Sequence, residues 1–105
     1  MIVRIWHGRT RRERADEYAA FLTLRAIPDY RGTEGNLDVA ILRRDEAGVS
    51  HFLTVTRWES EQAIRAFAGN EVLKAKYYDE DKDFLLDFED QVQHYTVVAR
   101  ASSDS

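Results

Sequence analysis

Three kinds of side chain in this sequence can take part in chemistry: imidazoles, phenols and large aromatic rings. His7 is the first candidate, because an imidazole titrates near neutral pH and can act as a general base or a hydrogen-bond donor. Tyr77 and Tyr78 are adjacent, so on a helix their side chains would point about 100° apart, one inward and one toward the rim. Trp58 and Phe67 can hold an aromatic ring by stacking. These residues predict a site for a small aromatic molecule.

The same residues also have a structural interpretation. His7 can be a hydrogen-bonded histidine near the end of a strand, without a role in chemistry. Trp58 and Phe67 can be plain core residues, which is the interpretation that we prefer for that pair.

The sequence offers little support for a metal ion or a cofactor. His51 and His94 have no second ligand at a metal-binding spacing, and there are no cysteines. A glycine-rich phosphate loop and a nucleotide fingerprint are also missing from the sequence. We therefore expect no metal site and no bound cofactor.

The bulk properties indicate one small domain. The 105 residues fit a single domain over 1–100, followed by a flexible polar tail over 101–105. A net charge of −4 argues against nucleic acid as a partner. No apolar run approaches the roughly 20 residues of a membrane span, and the first residues lack the pattern of a signal peptide. We expect a cytoplasmic protein that does not bind a membrane.

The elements that must position the candidate residues follow the order β-α-β-β-α-β, the ferredoxin-like α+β arrangement with a four-stranded antiparallel sheet. The predicted elements are a strand over 1–7 that turns at 8–9, a helix from a capping box at 10–13 to 26 that ends before Pro28, strands over 37–44 and 49–58 joined by a turn at 45–48, a helix over 60–68, helical segments around 70–77 and 84–88, and a strand over 92–99.

Both faces of the predicted first strand carry bulky residues. Alternation separates Val3, Ile5 and His7 from Ile2, Arg4 and Trp6. We expect the His7 side to face the helices. The other face is then too apolar to remain in water, and a second copy across a two-fold axis would cover it. Arg4 on that face would need a carboxylate, such as Asp38 or a residue of the other copy.

Three segments resemble the antibiotic biosynthesis monooxygenase-like dimeric α+β barrel proteins. They are the opening Ile2-Val3-Arg4-Ile5-Trp6, the strand–helix junction over 53–69 with Trp58-Glu59-Ser60, and the closing His94-Tyr95-Thr96-Val97. The resemblance spans nearly all of residues 1–100. It implies a homodimer whose ligand pocket lies between the sheet and the helices.

The activity implied by the resemblance is varied, since some members are cofactor-independent monooxygenases of aromatic or quinol-like molecules and others degrade haem. In the first case His7 would take the phenolic proton, Tyr77 or Tyr78 would orient the oxygen, and Trp58 and Phe67 would hold the ring. The alternative is a non-catalytic dimeric module that binds a small ligand or serves as a structural domain.

Haem degradation is disfavoured by the family's own pattern. That branch has an asparagine late in the first strand, a tryptophan on the second helix and a histidine on the next segment. The matching positions here are His7, Phe67 and Tyr77. Of these three residues, Tyr77 could ligate the iron of ferric haem as a phenolate.

Overall fold

A computed structural model describes residues 1–103, and its frame is one sheet of four antiparallel strands. The strands are β1 (Ile2–Arg11), β2 (Asn36–Glu46), β3 (Val49–Trp58) and β4 (Gln93–Thr96). They lie side by side in the order β2-β3-β1-β4. With helices packed on one face, this confirms the predicted ferredoxin-like α+β fold. Residues 104 and 105 of the predicted tail lie outside the described part of the chain.

The helices cover one face of the sheet and enclose the core. They are α1 (Ala15–Phe21), α2 (Ile27–Arg31) and α3 (Glu61–Ala68), with single turns of 3-10 helix at Arg12–Arg14 and Asp79–Asp83 and a π-helical turn at Leu22–Ala26. The largest fully buried side chains of the apolar core are Tyr18, Phe52, Trp58 and Ile64. The core therefore lies entirely between the helices and the sheet.

The first helical region continues past Pro28, contrary to the prediction. The π turn makes this possible, because the Ile27 N–H reaches back to the Leu22 carbonyl and Pro28 then falls in the first turn of α2. A proline is tolerated there because its missing N–H would have no partner within the helix. The region ends at Gly32, whose N–H donates to the Pro28 carbonyl at 2.8 Å.

β1 is longer than predicted, and the turn expected at 8–9 is wrong. The strand runs on to Arg11 because β3 pairs with it along its whole length. The expected capping box at 10–13 is also wrong, since Thr10 is a strand residue whose hydroxyl donates to the Arg11 carbonyl. Gly8 has a packing role instead. A β-carbon there would lie 2.5 Å from Cη2 of Trp6.

The two faces of β1 are the reverse of the prediction. Arg4 and Trp6 are buried against the helices, whereas Val3, Ile5 and His7 lie on the other face, which we call the open face. The indole of Trp6 packs directly over Gly8, in space that a smaller side chain at position 6 would leave empty.

Arg4 therefore does not pair with Asp38. The Arg4 guanidinium donates to the carbonyls of Val72 and Lys74, at 3.0 and 3.1 Å. Asp38 accepts instead from Arg57 on the open face, with 2.6 Å between Nη2 and Oδ2.

The junction between β3 and α3 agrees with the prediction. Ser60 is the N-cap of α3, and its hydroxyl oxygen accepts the Ala63 N–H at 3.2 Å. Gly69 follows the last helical residue with φ of 91°, a conformation that suits glycine.

Residues 69–92, which we call the crossing segment, form neither of the two helical segments predicted at 70–77 and 84–88. Arg4 takes the carbonyls of Val72 and Lys74, which a helix would use internally. Further along, the Leu86 N–H donates to the Arg9 carbonyl, so this part lies against the end of β1. β4 is also shorter than the predicted strand over 92–99.

Candidate functional site

The helices and the sheet enclose a small cavity of about 10 Å³, which has room for about one water molecule. The π turn and α2 form one wall, the strands form the floor and the crossing segment closes the third side. The lining residues are Trp6, Tyr18, Leu22, Ala26, Tyr30, Thr54, Lys76, Tyr78 and Asp81. We call this space the aromatic cavity.

A buried carboxyl group holds one end of the aromatic cavity. Asp81 is only 1% exposed, and it accepts hydrogen bonds from the Tyr18 hydroxyl at 2.8 Å and from the Tyr78 N–H at 2.7 Å. Burial raises the pKa of Asp81 despite these bonds, which favour the charged form. Burial, and then the charge of Asp81, raises the pKa of Tyr18. A buried acid that keeps its proton unusually well is a common feature of catalytic sites.

A second carboxylate, Asp29, bonds to two residues that line the aromatic cavity. Oδ2 of Asp29 accepts from the Tyr78 hydroxyl at 2.6 Å and from Nζ of Lys76 at 3.1 Å. Burial alone would raise the pKa of Asp29, but the hydrogen bonds from Tyr78 and Lys76 outweigh it and leave that pKa lowered. Lys76 also donates to the Phe67 carbonyl and lies 4.0 Å from the centre of the Phe67 ring.

Trp6, one of the lining residues, has an unused donor. Its Nε1 is buried and has no hydrogen-bond partner within residues 1–103. The hydroxyls of two other lining residues, Tyr30 and Thr54, bond to each other at 3.1 Å. A buried N–H without an acceptor is costly, so a water molecule or a ligand oxygen would be favoured there.

Of the predicted ring-binding residues, Tyr78 lines the aromatic cavity, whereas Trp58 and Phe67 stand behind its wall. Phe67 stacks on Tyr30 with 4.4 Å between ring centres, and Trp58 packs against Phe67 at 5.7 Å. Both side chains are buried, Trp58 completely. They shape the wall by core packing.

His7 and Tyr77 lie outside the aromatic cavity and meet at Glu89. Nδ1 of His7 donates to Oε2 of Glu89 at 2.5 Å, and the Tyr77 hydroxyl donates to the Glu89 carbonyl at 2.7 Å. Burial, and then the charge of Glu89, raises the pKa of Tyr77 to about 12, so its hydroxyl stays protonated at neutral pH. Tyr77 also packs edge-on against Trp6, with 5.9 Å between ring centres.

The hydrogen bonds of His7 continue across the open face. Nε2 of His7 lies 3.0 Å from Nδ1 of His51, and Nε2 of His51 lies 3.6 Å from a carboxylate oxygen of Glu46. The ring planes differ by 18° while the ring centres are 5.3 Å apart, so the two imidazoles meet edge to edge. A carboxylate behind an imidazole fixes its orientation and its tautomer.

Several residues of these sites are not predicted from the sequence, among them Trp6, Asp29, Lys76, Asp81 and Glu89. The sequence alternation places Trp6 on the wrong face of its strand. Asp81 lies in an acidic run that is typical of a solvated surface, and nothing local distinguishes it from its neighbours. The contact between Asp29 and Lys76 joins residues 47 positions apart, which no local pattern reveals.

Residues 1–103 contain neither a metal-ligand cluster nor a membrane-spanning helix. Within that part of the chain, no group of three or more histidine, aspartate or glutamate side chains is arranged to hold a metal ion. None of the helices described there is both long and apolar enough to cross a membrane.

Comparison with known proteins supports the fold most directly. A Bacillus cereus protein described provisionally as an antibiotic biosynthesis monooxygenase superimposes with a TM-score of 0.67 at 18% identity, covering 100% of this chain and 98% of that one. The haem degrader MhuD of Mycobacterium tuberculosis, solved with two haems in its active site, gives a TM-score of 0.66 at 18% identity, covering 97% and 100%. A MhuD variant with two manganese protoporphyrin IX molecules per active site gives 0.63 at 17%, covering 98% and 100%.

Such low identities establish a shared fold and nothing about ligands. No curated protein is similar enough in sequence to count as a relative. The model of the antibiotic biosynthesis monooxygenase family, however, matches residues 1–76. Since that match covers well over half of the sequence, the chain belongs to the antibiotic biosynthesis monooxygenase family.

Proposed function

We propose that the protein is a cofactor-independent monooxygenase that acts on a small aromatic or quinol-like molecule in the aromatic cavity. The observation that carries the proposal is the pairing of a buried acid, Asp81, with the unused N–H donor of Trp6 around one cavity. Membership of the family supports the type of reaction.

The chemistry needs only the substrate and dioxygen. In an anthrone-type substrate, a ring CH₂ group becomes a carbonyl. One atom of O₂ forms that carbonyl, and the other leaves as water with the two hydrogens. The protein has to accept a proton at the start and exclude bulk water. Asp81, once deprotonated, is the proposed base, because a carboxylate with a raised pKa binds a proton more strongly.

The predicted residues have distinct places in this proposal. Tyr78 lines the cavity and orients the substrate, while Trp58 and Phe67 support the wall on which its ring rests. His7 and Tyr77 are proposed as positioning residues, because both bond to Glu89 and Tyr77 contacts Trp6. The substrate must also widen the cavity, since about 10 Å³ does not admit an aromatic ring.

Oxygen consumption tests the proposal. We would measure O₂ uptake across a panel of quinols and anthrone-type phenols, and then compare Asp81→Asn with the exposed control Asp90→Asn. Loss of a general base lowers turnover by about 10²–10⁴-fold. Tyr18→Phe serves as a milder variant, because it removes one hydrogen bond from Asp81. Full activity in Asp81→Asn, or no uptake with any substrate, would reject the assignment.

The second candidate is a non-catalytic module of the same fold. The small volume of the cavity favours it, because Trp6 and the surrounding rings already fill the space between helices and sheet. A ligand that binds without any oxygen uptake would support this candidate. A haem would require the cavity to widen far more than a small aromatic molecule would, which disfavours haem as the ligand. An absorbance titration with haemin that produced a stoichiometric Soret shift would overturn that argument.

We also propose that the protein works as a homodimer joined through the open face. The apolar side chains Val3, Ile5, Leu42, Leu53 and Val55 point away from the helices and leave that face partly exposed. A 105-residue chain buries too little surface to leave such a face uncovered without cost.

A further inference from the structure

Two donors from the crossing segment converge on one oxygen of α2. Oδ2 of Asp29 receives both the Tyr78 hydroxyl, at 2.6 Å, and the Lys76 ammonium, at 3.1 Å. A hydroxyl and an ammonium that point at the same position form a site for an anionic oxygen, and that oxygen can belong to the protein or to a ligand. Asp29 supplies it in this structure, and both donors belong to residues that line the aromatic cavity.

The surroundings of this point suit an aromatic anion. The Lys76 ammonium lies 4.0 Å from the centre of the Phe67 ring, and the Arg25 guanidinium lies 4.5 Å from the centre of the Tyr78 ring. Cations held over ring faces keep the rings in place, and here two cations lie close to a single carboxylate. Asp29 is the negative charge that both Lys76 and Arg25 act on.

The Asp29 contact can open at low cost. The side chains of Asp29 and Lys76 are 29% and 34% exposed, so water can solvate the carboxylate once it leaves. Partly exposed ion pairs of this kind contribute little to stability. Asp29 also lies just after the π turn at Leu22–Ala26, and such turns are frequent at functional sites.

We propose that the Asp29 carboxylate occupies the place of a substrate anion, and that Lys76 and Tyr78 form a subsite for an aromatic molecule carrying a carboxylate or phenolate oxygen. Binding exchanges one anion for another on the same two donors, and the displaced Asp29 turns to solvent. This inference rests on the aromatic cavity of the proposed function, but it does not depend on oxygen chemistry.

The test compares two probes of the same shape. Under argon, we would titrate the full chain with 2-naphthoate, which is anionic, and with its neutral analogue 2-naphthamide, following tryptophan fluorescence and heat of binding. The variants are Asp29→Asn, Lys76→Met and Tyr78→Phe. The matched control is Lys74→Met, because Lys74 is an exposed lysine of the same segment whose ammonium lies 3.9 Å from Glu71.

We expect 2-naphthoate to bind about tenfold more tightly than 2-naphthamide, and Asp29→Asn to tighten 2-naphthoate further. Lys76→Met should abolish the difference between the probes, while Lys74→Met should leave it intact. Tyr78→Phe, which keeps the ring, should reduce the difference even if Lys76→Met proves poorly folded. Equal affinities for the two probes, or no binding to either the wild-type protein or Asp29→Asn, would overturn the inference.

The outcomes for the two proposals are separable. Lys76-dependent binding of 2-naphthoate without oxygen uptake on the substrate panel would retain the anion subsite and reject the monooxygenase. Oxygen uptake that is unchanged in Lys76→Met, together with equal affinity for both probes, would retain the monooxygenase and reject the anion subsite.

Discussion

Gly8 and Trp6 form a pair whose fit can be tested by one methyl group. A β-carbon at Gly8 would lie 2.5 Å from Trp6 Cη2 and 3.0 Å from Leu85 Cδ2. We therefore expect Gly8→Ala to lower the free energy of unfolding by roughly 1–3 kcal/mol, the usual cost of overpacking a core. Gly48→Ala is the control, because a β-carbon there meets nothing within 4 Å. Equal stability of the two variants in urea unfolding would show that Trp6 adjusts freely.

Arg4 is a buried cation held by backbone carbonyls. Its guanidinium donates to Val72 and Lys74, and burial lowers the pKa of Arg4. Arg4→Met should reduce the free energy of unfolding by about 2–3 kcal/mol. The loss of two charge-assisted hydrogen bonds destabilises the protein, and removal of the desolvation cost of the charge offsets only part of that loss. Arg44→Met, which breaks an exposed pair with Glu46, should cost less than about 1 kcal/mol. Comparable losses in both variants would contradict this assignment.

The carboxyls of Asp29 in α2 and Asp81 in the crossing segment affect stability in opposite directions. The pKa of Asp29 is lowered by its hydrogen bonds, so the folded state releases this proton more readily than the unfolded chain does. Its contribution is present above pH 3.8, the ordinary pKa, and is lost as the pH falls through the folded pKa. The pKa of Asp81 is raised, so stability falls as the pH rises from 3.8 toward the folded pKa.

Urea unfolding between pH 3 and 8 measures both effects. The stability of the wild-type protein relative to Asp29→Asn should rise with pH below 3.8. The stability of the wild-type protein relative to Asp81→Asn should fall as the pH rises above 3.8. The two differences change in separate pH windows, so each variant is a control for the other. Parallel curves for wild type and Asp81→Asn would show that this carboxyl titrates normally in the folded protein.

The elements that could be predicted are those specified by local signals. Ser60 and Gly69 determine the ends of α3, and alternation determines β3. The crossing segment could not be predicted in this way, because Arg4 holds it from nearly 70 positions away. Alternation also separates the two faces of β1 without indicating which one is buried.

The candidate site depends even more on distant contacts. The sequence predicts a donor role for Tyr77 or Tyr78, and the structure brings Tyr78 to the aromatic cavity. Its partners Asp29 and Lys76 come from segments that meet only in the folded chain. His7 is predicted from the sequence as a base or donor in a pocket under the helices, whereas its partners Glu89 and His51 lie on the open face and at its edge, away from the aromatic cavity.

At the scale of the whole molecule, the open face should bind a second copy. Val55 lies in its centre, paired with Ile5 on one side and Ala40 on the other. We expect the wild-type protein to sediment as a dimer at micromolar concentration, with an interface above the roughly 1,600 Å² of a standard complex. Val55→Asp should give a folded monomer, because burying an unpaired carboxylate in an apolar interface costs several kcal/mol. Leu24→Asp is the matched control, since Leu24 is 79% exposed and lies on the helical side. A wild-type monomer would reject the dimer, and dissociation by Leu24→Asp alone would place the contact elsewhere.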